Sequence, residues 1–325
     1  MNKQGTIISK DKTQIIKGFA ILFMIAHHCL IKEFYINPPS FLSTLICIKF
    51  YTSMKICVGL FTFFVGYGFF FSDKVNTIYI FKHIWRLLKN YWIVLITTLV
   101  ISILGGYVFS FSQFVYSIFG FIPTYNLANW YVYFYIYALF ILPIIKNILN
   151  KDIWKRGILI IIFFYSIFFL TNEHSILFKT IHRCCQYSPI LVLGFICAKT
   201  QVLTNLSKHI QKNYIWLFFA IVSLAIRCMG IKGISTDIVS VPLFIISVSA
   251  LINNGMVARF LSNLGRNSTM MWFIHAIPFS TATNFIFQNS IFWINNTIVL
   301  YILITTTSYI AALGVNKVFP TLKKL

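Results

Sequence analysis

Ten times along its length the chain runs for roughly 15 to 24 residues with little or no charge, then breaks at a short polar link. The runs fall near 15–32, 48–71, 87–107, 129–146, 157–171, 184–199, 214–230, 236–252, 268–288 and 296–316. About 20 apolar residues in a helix match the hydrocarbon core of a bilayer, so this pattern constrains the fold more than any other feature. Charged residues make up 10% of the chain, where a soluble domain carries roughly a quarter. A membrane barrel would show short alternating segments instead. The expectation is an all-α, polytopic membrane bundle of about ten transmembrane helices. The uncharged aromatic stretch 108–122 has three open readings: a loop, a re-entrant piece or an interfacial helix.

Lysine and arginine set the orientation. With the N-terminus inside, 20 of the 27 fall on cytoplasmic links and ends. The other seven, Lys32, Lys49, Lys55, Lys179, Arg183, Arg227 and Lys232, fall outside. The positive-inside rule therefore puts both termini in the cytoplasm. A net charge of +21 spread over short loops is a topology signal. It is not the clustered basic face of a nucleic-acid binder, so no nucleic-acid partner is expected. The first run holds two histidines and no small-x-small site follows it, so it is expected to remain as the first membrane helix. No fused soluble domain is expected, which makes residues 1–325 one transmembrane domain. The seven cysteines show neither C-x-x-C nor zinc spacing, so no metal is expected. Cys184 and Cys185 read as small apolar residues, with oxidation at the outer face as the second reading.

Within the first run, KGFAILFMIAHHCL, Lys17 and His28 are eleven residues apart. Eleven helical steps come to about 20° past three full turns, so both lie on one stripe with Ile21 and Met24. The rise between them is ~16 Å. His27 lies off the stripe. One helix face thus joins a cytoplasmic cation to an intramembrane base, an expensive placement that points to function. The structural alternative is a histidine bonded to a neighbouring helix and a lysine snorkelling to the interface. The functional reading expects the stripe to face a polar cavity inside the bundle.

Other runs add candidates. Gly59, Gly66 and Gly68 in VGLFTFFVGYGFF allow close backbone approach by a helix or a ligand. Arg86 and Lys89 open the third run three residues apart, suited to phosphate or simply to the positive-inside bias. Trp130 starts an aromatic run that reads as an interfacial belt or as the wall of a sugar site. Ser268 and His275 lie near one face of the ninth run, with Arg266 and Asn267 expected at its mouth, where helix amides favour anions. His275 reads equally as a satisfied buried histidine. Of six acids, Glu33, Glu173 and Asp237 map outside, where a partner orienting His28 would be needed. So few acids argue against a carboxylate-based ion transporter.

Taken in order, these segments resemble the membrane-bound acyltransferase family 3, bacterial multi-spanning O-acyltransferases of surface glycans. KGFAILFMIAHH resembles the family's basic residue, ten residues and histidine, with Lys17 and His28 in those places. VGLFTFFVGYGFF resembles its Phe-rich Ser-Gly-Tyr motif, RLLKNYW its basic third helix, and NWYVYFYIYALFILP its Trp–aromatic helix ending in proline. LVLGFICAK and LGRNSTMMWFIH resemble its later glycine-containing and Gly-x-x-Ser…His motifs. Two positions depart: Lys17 stands where many members have arginine, and Val65 where the family has serine.

The resemblance implies an integral O-acyltransferase of the bacterial cytoplasmic membrane, moving an acetyl group from cytoplasmic acetyl-CoA to a hydroxyl of an outer-face sugar. It implies Lys17, Arg86, Lys89, Arg266 and Ser268 at the donor, and His28 as general base or acyl carrier. His27, Trp130 and His275 are secondary candidates. Two other classes stay open. A transporter or flippase of a glycan or lipid-linked intermediate would share the helices and aromatic belts. A catalytically inert assembly partner would share the motifs and bind no acyl-CoA.

Overall fold

A computed structural model describes residues 7–36, 50–72, 76–171, 175–229, 236–288, 294 and 296–319, with backbone alone at 31–36 and 288. Every described element is a helix. In order they are α1 (Lys10–Ile36), α2 (Ile56–Phe70), α3 (Thr77–Leu104), the short α4 (Phe111–Ile118), α5 (Trp130–Ile148) and α6 (Ile153–Leu170). There follow α7 (Ile176–Thr200), the short α8 (Val202–Ser207), α9 (Asn213–Cys228), α10 (Asp237–Leu251) and α11 (Met256–Ile274). A 3-10 turn (Ile277–Phe279), α12 (Asn284–Gln288) and α13 (Thr297–Val318) complete the order.

Seven of the described helices are long and apolar enough to cross a membrane: α1, α2 with the residues before it, α3, α5, α6, α7 and α13. The apolar α9 and α10 are shorter, at 16 and 15 residues. On α6, Ile158, Leu159, Ile162, Phe163, Phe169 and Leu170 are all exposed. An apolar face that large needs lipid or protein against it. The chain is a multi-pass membrane protein.

The described residues form two compact units. The first holds residues 1–73, 141–173 and 181–266; the second holds 74–140, 174–180 and 267–325.

In the first unit, paired glycines let helices touch backbone to backbone. Gly66 of α2 lies against the carbonyl of Leu191 on α7, and Gly194 of α7 lies against the carbonyl of Phe63 on α2. A β-carbon at either glycine would collide with that oxygen. The α1–α11 crossing repeats the device, with Gly18 on Leu261 and Gly265 on Gln14. In lipid, where burial against water gives helices no extra attraction, such close contact supplies the packing energy. The motif glycines 66, 194 and 265 are therefore helix contacts. Gly68 faces open space.

Cations close several helix ends in the same unit. Lys12 Nζ donates to the carbonyls of Ser249 (2.8 Å) and Ile252 at the end of α10, and to Asn253 Oδ1 (2.7 Å). Lys199 Nζ donates to Leu149 O, just past α5, at 2.6 Å. These carbonyls lack helical partners and carry the negative end of the helix dipole, so a cation satisfies both. Cys184 and Cys185 are buried thiols.

In the second unit, the aromatic stretch resolves as the eight-residue α4, held on α3. Tyr91 Oη donates to Ser117 O at 2.5 Å, and Trp92 Nε1 donates to Ile118 O at 3.0 Å.

The expected ninth span, 268–288, is not one helix. Helix α11 starts twelve residues earlier, at Met256, and ends at Ile274, with Pro278 in the turn beyond. Pro278 has no N–H to donate to the carbonyl four residues back, at Ile274, so the α-helical ladder cannot continue there.

Candidate active site

Lys17 and His28 both lie on α1, in the first unit. Between them Ile21 is fully buried and Met24 is 3% exposed, so the stripe faces protein. It does not line an open cavity there: Met24 Sδ packs 3.8 Å from Cys57 Sγ of α2. Lys17 is half-buried, with no hydrogen bond or ion pair among the described residues.

The two histidines differ in surroundings. His27 is buried, with Nδ1 2.8 Å from the Tyr51 carbonyl and its ring 5.6 Å from the Tyr51 ring. A carbonyl only accepts, so Nδ1 carries the proton and the ring is pinned. His28 is half-buried, its ring 5.5 Å from that of His27.

Arg266 also belongs to the first unit and pairs with Asp11 at 4.0 Å, both largely exposed. The Gly265–Gln14 contact carries it to the first turns of α1, the end where Lys17 stands. Arg266, Asn267 and Ser268 do not occupy a helix mouth, which corrects the sequence expectation. They lie ten or more residues inside α11. Their amides are engaged in the helix and are not available to an anion.

The remaining candidates fall in the second unit. Arg86 and Lys89 are half-buried on α3, and Lys89 Nζ sits 5.9 Å from the Trp85 ring centre. Ser268 is buried. Neighbouring Asn267 accepts from Asn316 Nδ2 at 2.8 Å, tying α11 to α13. His275 is fully buried and its Nδ1 lies 3.0 Å from Met271 O, one turn back. Trp130 is half-buried beside Tyr131 and Phe134. Its segment folds onto the end of α11 through three contacts. Asn126 Nδ2 donates to Phe273 O at 2.9 Å, Trp272 Nε1 donates to Ala128 O at 3.2 Å, and the Tyr131 and Trp272 rings lie 4.7 Å apart. Trp130 and His275 thus share one aromatic, hydrogen-bonded corner.

A model of the acyltransferase domain of acyltransferase family 3 matches residues 13–316. The chain belongs to that family. No curated protein and no solved structure matches it. As a membrane acyltransferase it transfers acyl groups, and both α1 candidates fall inside the matched region.

Sequence reasoning counted Lys55, Arg183, Arg227 and Asp237 separately and did not place them together. In the acyltransferase, Arg227 Nε meets Asp237 Oδ1 at 2.6 Å, with Asp237 1% exposed. The Asp237 carboxylate packs over Gly59, one turn beyond Lys55 on α2. The available signal was the rarity of acids in this chain. Of the other outer acids, Glu173 and the Glu33 side chain lie outside the described residues.

Proposed function

We propose that this acyltransferase moves an acetyl group from cytoplasmic acetyl-CoA to a hydroxyl of a cell-surface glycan, across the bacterial cytoplasmic membrane. The carrying observation is the inward-facing stripe from Lys17 to His28 on one helix of a family member. Its ~16 Å rise covers about half of the hydrocarbon core.

The proposed topology has ten spans with both termini in the cytoplasm. The contacts within the first unit support it. Lys12 meets the end of α10, Lys199 meets the end of α5, and His27 meets Tyr51 before α2. Each joins segments that the ten-span map puts on one side.

Lys17 and Arg266 form the donor end of the first unit and bind the anionic part of acetyl-CoA through charge-assisted hydrogen bonds. Within the second unit, Arg86, Lys89 and Ser268 are proposed donor-binding residues in their own right. At the other end His28 takes the proton of the acceptor hydroxyl. The hydroxyl oxygen bonds to the acyl carbon, the carbon–sulfur bond breaks, and the CoA thiolate regains the proton from His28. In the acyl-carrier variant a His28 nitrogen attacks the acyl carbon and expels the CoA thiolate; the acceptor hydroxyl oxygen then displaces the histidine, and its proton passes to the thiolate. The thioester passes the stripe only when the packing at Ile21 and Met24 opens, which couples donor binding to a helix movement.

The test is release of free CoA from acetyl-CoA by the purified protein in nanodiscs. Release that an added glycan accelerates supports the reading; folded protein that neither binds nor cleaves acetyl-CoA contradicts it.

A further inference from the structure

At the His28 end of the first unit, α1 runs beside the start of α2. His27 bonds to Tyr51, and Met24 touches Cys57. Lys55 lies between those two contact points in sequence, at the turn that interrupts the helix over Phe50–Phe70. It is half-buried, and its ammonium makes no ion pair or hydrogen bond among the described residues.

Among the described residues the charges around Lys55 do not balance it. Arg227, Arg183 and Asp237 all act on it electrostatically. The one carboxylate among them, Asp237, is already engaged by Arg227 at 2.6 Å. The helix ends favour that pair: Arg227 stands in the last turn of α9 and Asp237 in the first turn of α10, where the dipoles suit each charge. Arg183 adds positive potential and has contacts of its own. A partly desolvated ammonium beside further cations is costly unless an anion neutralises it. Gly59 lets α10 pack close to Lys55: a side chain there would strike Val241 and crowd the Asp237 carboxylate.

We propose that Lys55, backed by Arg227 and Arg183, is an anion subsite beside His28. The acceptor therefore carries a negative group, a sugar carboxylate or a phosphodiester, near the hydroxyl that is acylated. This rests on the acyl-transfer reading and names its acceptor class. The subsite acts by binding alone.

The test measures thermal unfolding of the full chain in nanodiscs, without acetyl-CoA and at matched ionic strength, with glucuronate, glycerol phosphate or glucose as probes. A rise of about 2 °C with one or both anions and none with glucose is expected at saturation. Whichever anion gives the larger rise distinguishes carboxylate from phosphate. The Lys55→Gln and Lys55→Met variants lose the rise, while Lys55→Arg and His28→Ala retain it. Equal response to glucose, no response to either anion, or an anion response that survives in Lys55→Gln overturns the subsite. Because no donor is present, failure of acyl transfer in the separate CoA-release assay removes the proposed reaction and leaves this result standing.

Discussion

His27 Nδ1 donates to the Tyr51 carbonyl across 2.8 Å, while its neighbour His28 stands half-buried on the stripe that begins at Lys17. The bond assigns adjacent histidines different work. Loss of a buried hydrogen bond costs about 1–2 kcal/mol. His27→Phe is therefore expected to lower the unfolding midpoint by a few degrees and to reduce CoA release less than tenfold.

The lysines in the first turns of α1 divide in the same way. Lys12 closes the end of α10, whereas Lys17 has no such partner among the described residues. Lys12→Met should destabilise by about 1–3 kcal/mol, since three hydrogen bonds are lost, and leave the KM for acetyl-CoA unchanged. Lys17→Ala should raise that KM by about tenfold with a smaller change in stability, and Lys17→Arg should restore it. Steady-state kinetics beside thermal unfolding separates the two.

The Gly66–Gly194 crossing sets a third expectation. Alanine at either position forces α2 and α7 apart, and overpacking of this kind costs about 1–3 kcal/mol. Alanine at Gly68, which faces open space, should be neutral. Midpoints in one detergent for the three variants provide the comparison.

The exposed Arg266–Asp11 pair, at 4.0 Å, should contribute little stability. Asp11→Asn is expected to leave the midpoint within about 1 °C of wild type. If Arg266 serves the donor, Arg266→Ala raises the KM for acetyl-CoA while its midpoint also stays put.

The apolar runs were legible because a bilayer demands length and hydropathy, which are properties of the chain itself. Helix α11 was harder. Arg259, Asn263 and Arg266 break its hydropathy, yet Ala258, Leu261 and Leu264 recur at helical spacing and are buried. A reading by run length therefore started that helix at Ser268 and put Arg266 and Asn267 at its mouth. The Lys17–His28 stripe was legible from geometry along one helix. Its packed middle at Met24 was not, because Cys57 reaches it from another helix. Arg227 and Asp237 were visible singly, but their pairing depends on how α9 and α10 meet.

The central claim is that His28 carries the chemistry. Its most direct test is release of CoA from acetyl-CoA by purified wild type, His27→Ala and His28→Ala in nanodiscs, each checked for insertion and folding. The account predicts that His28→Ala folds and loses at least about a hundredfold in turnover, while His27→Ala keeps most of it. Full turnover by folded His28→Ala would contradict the account.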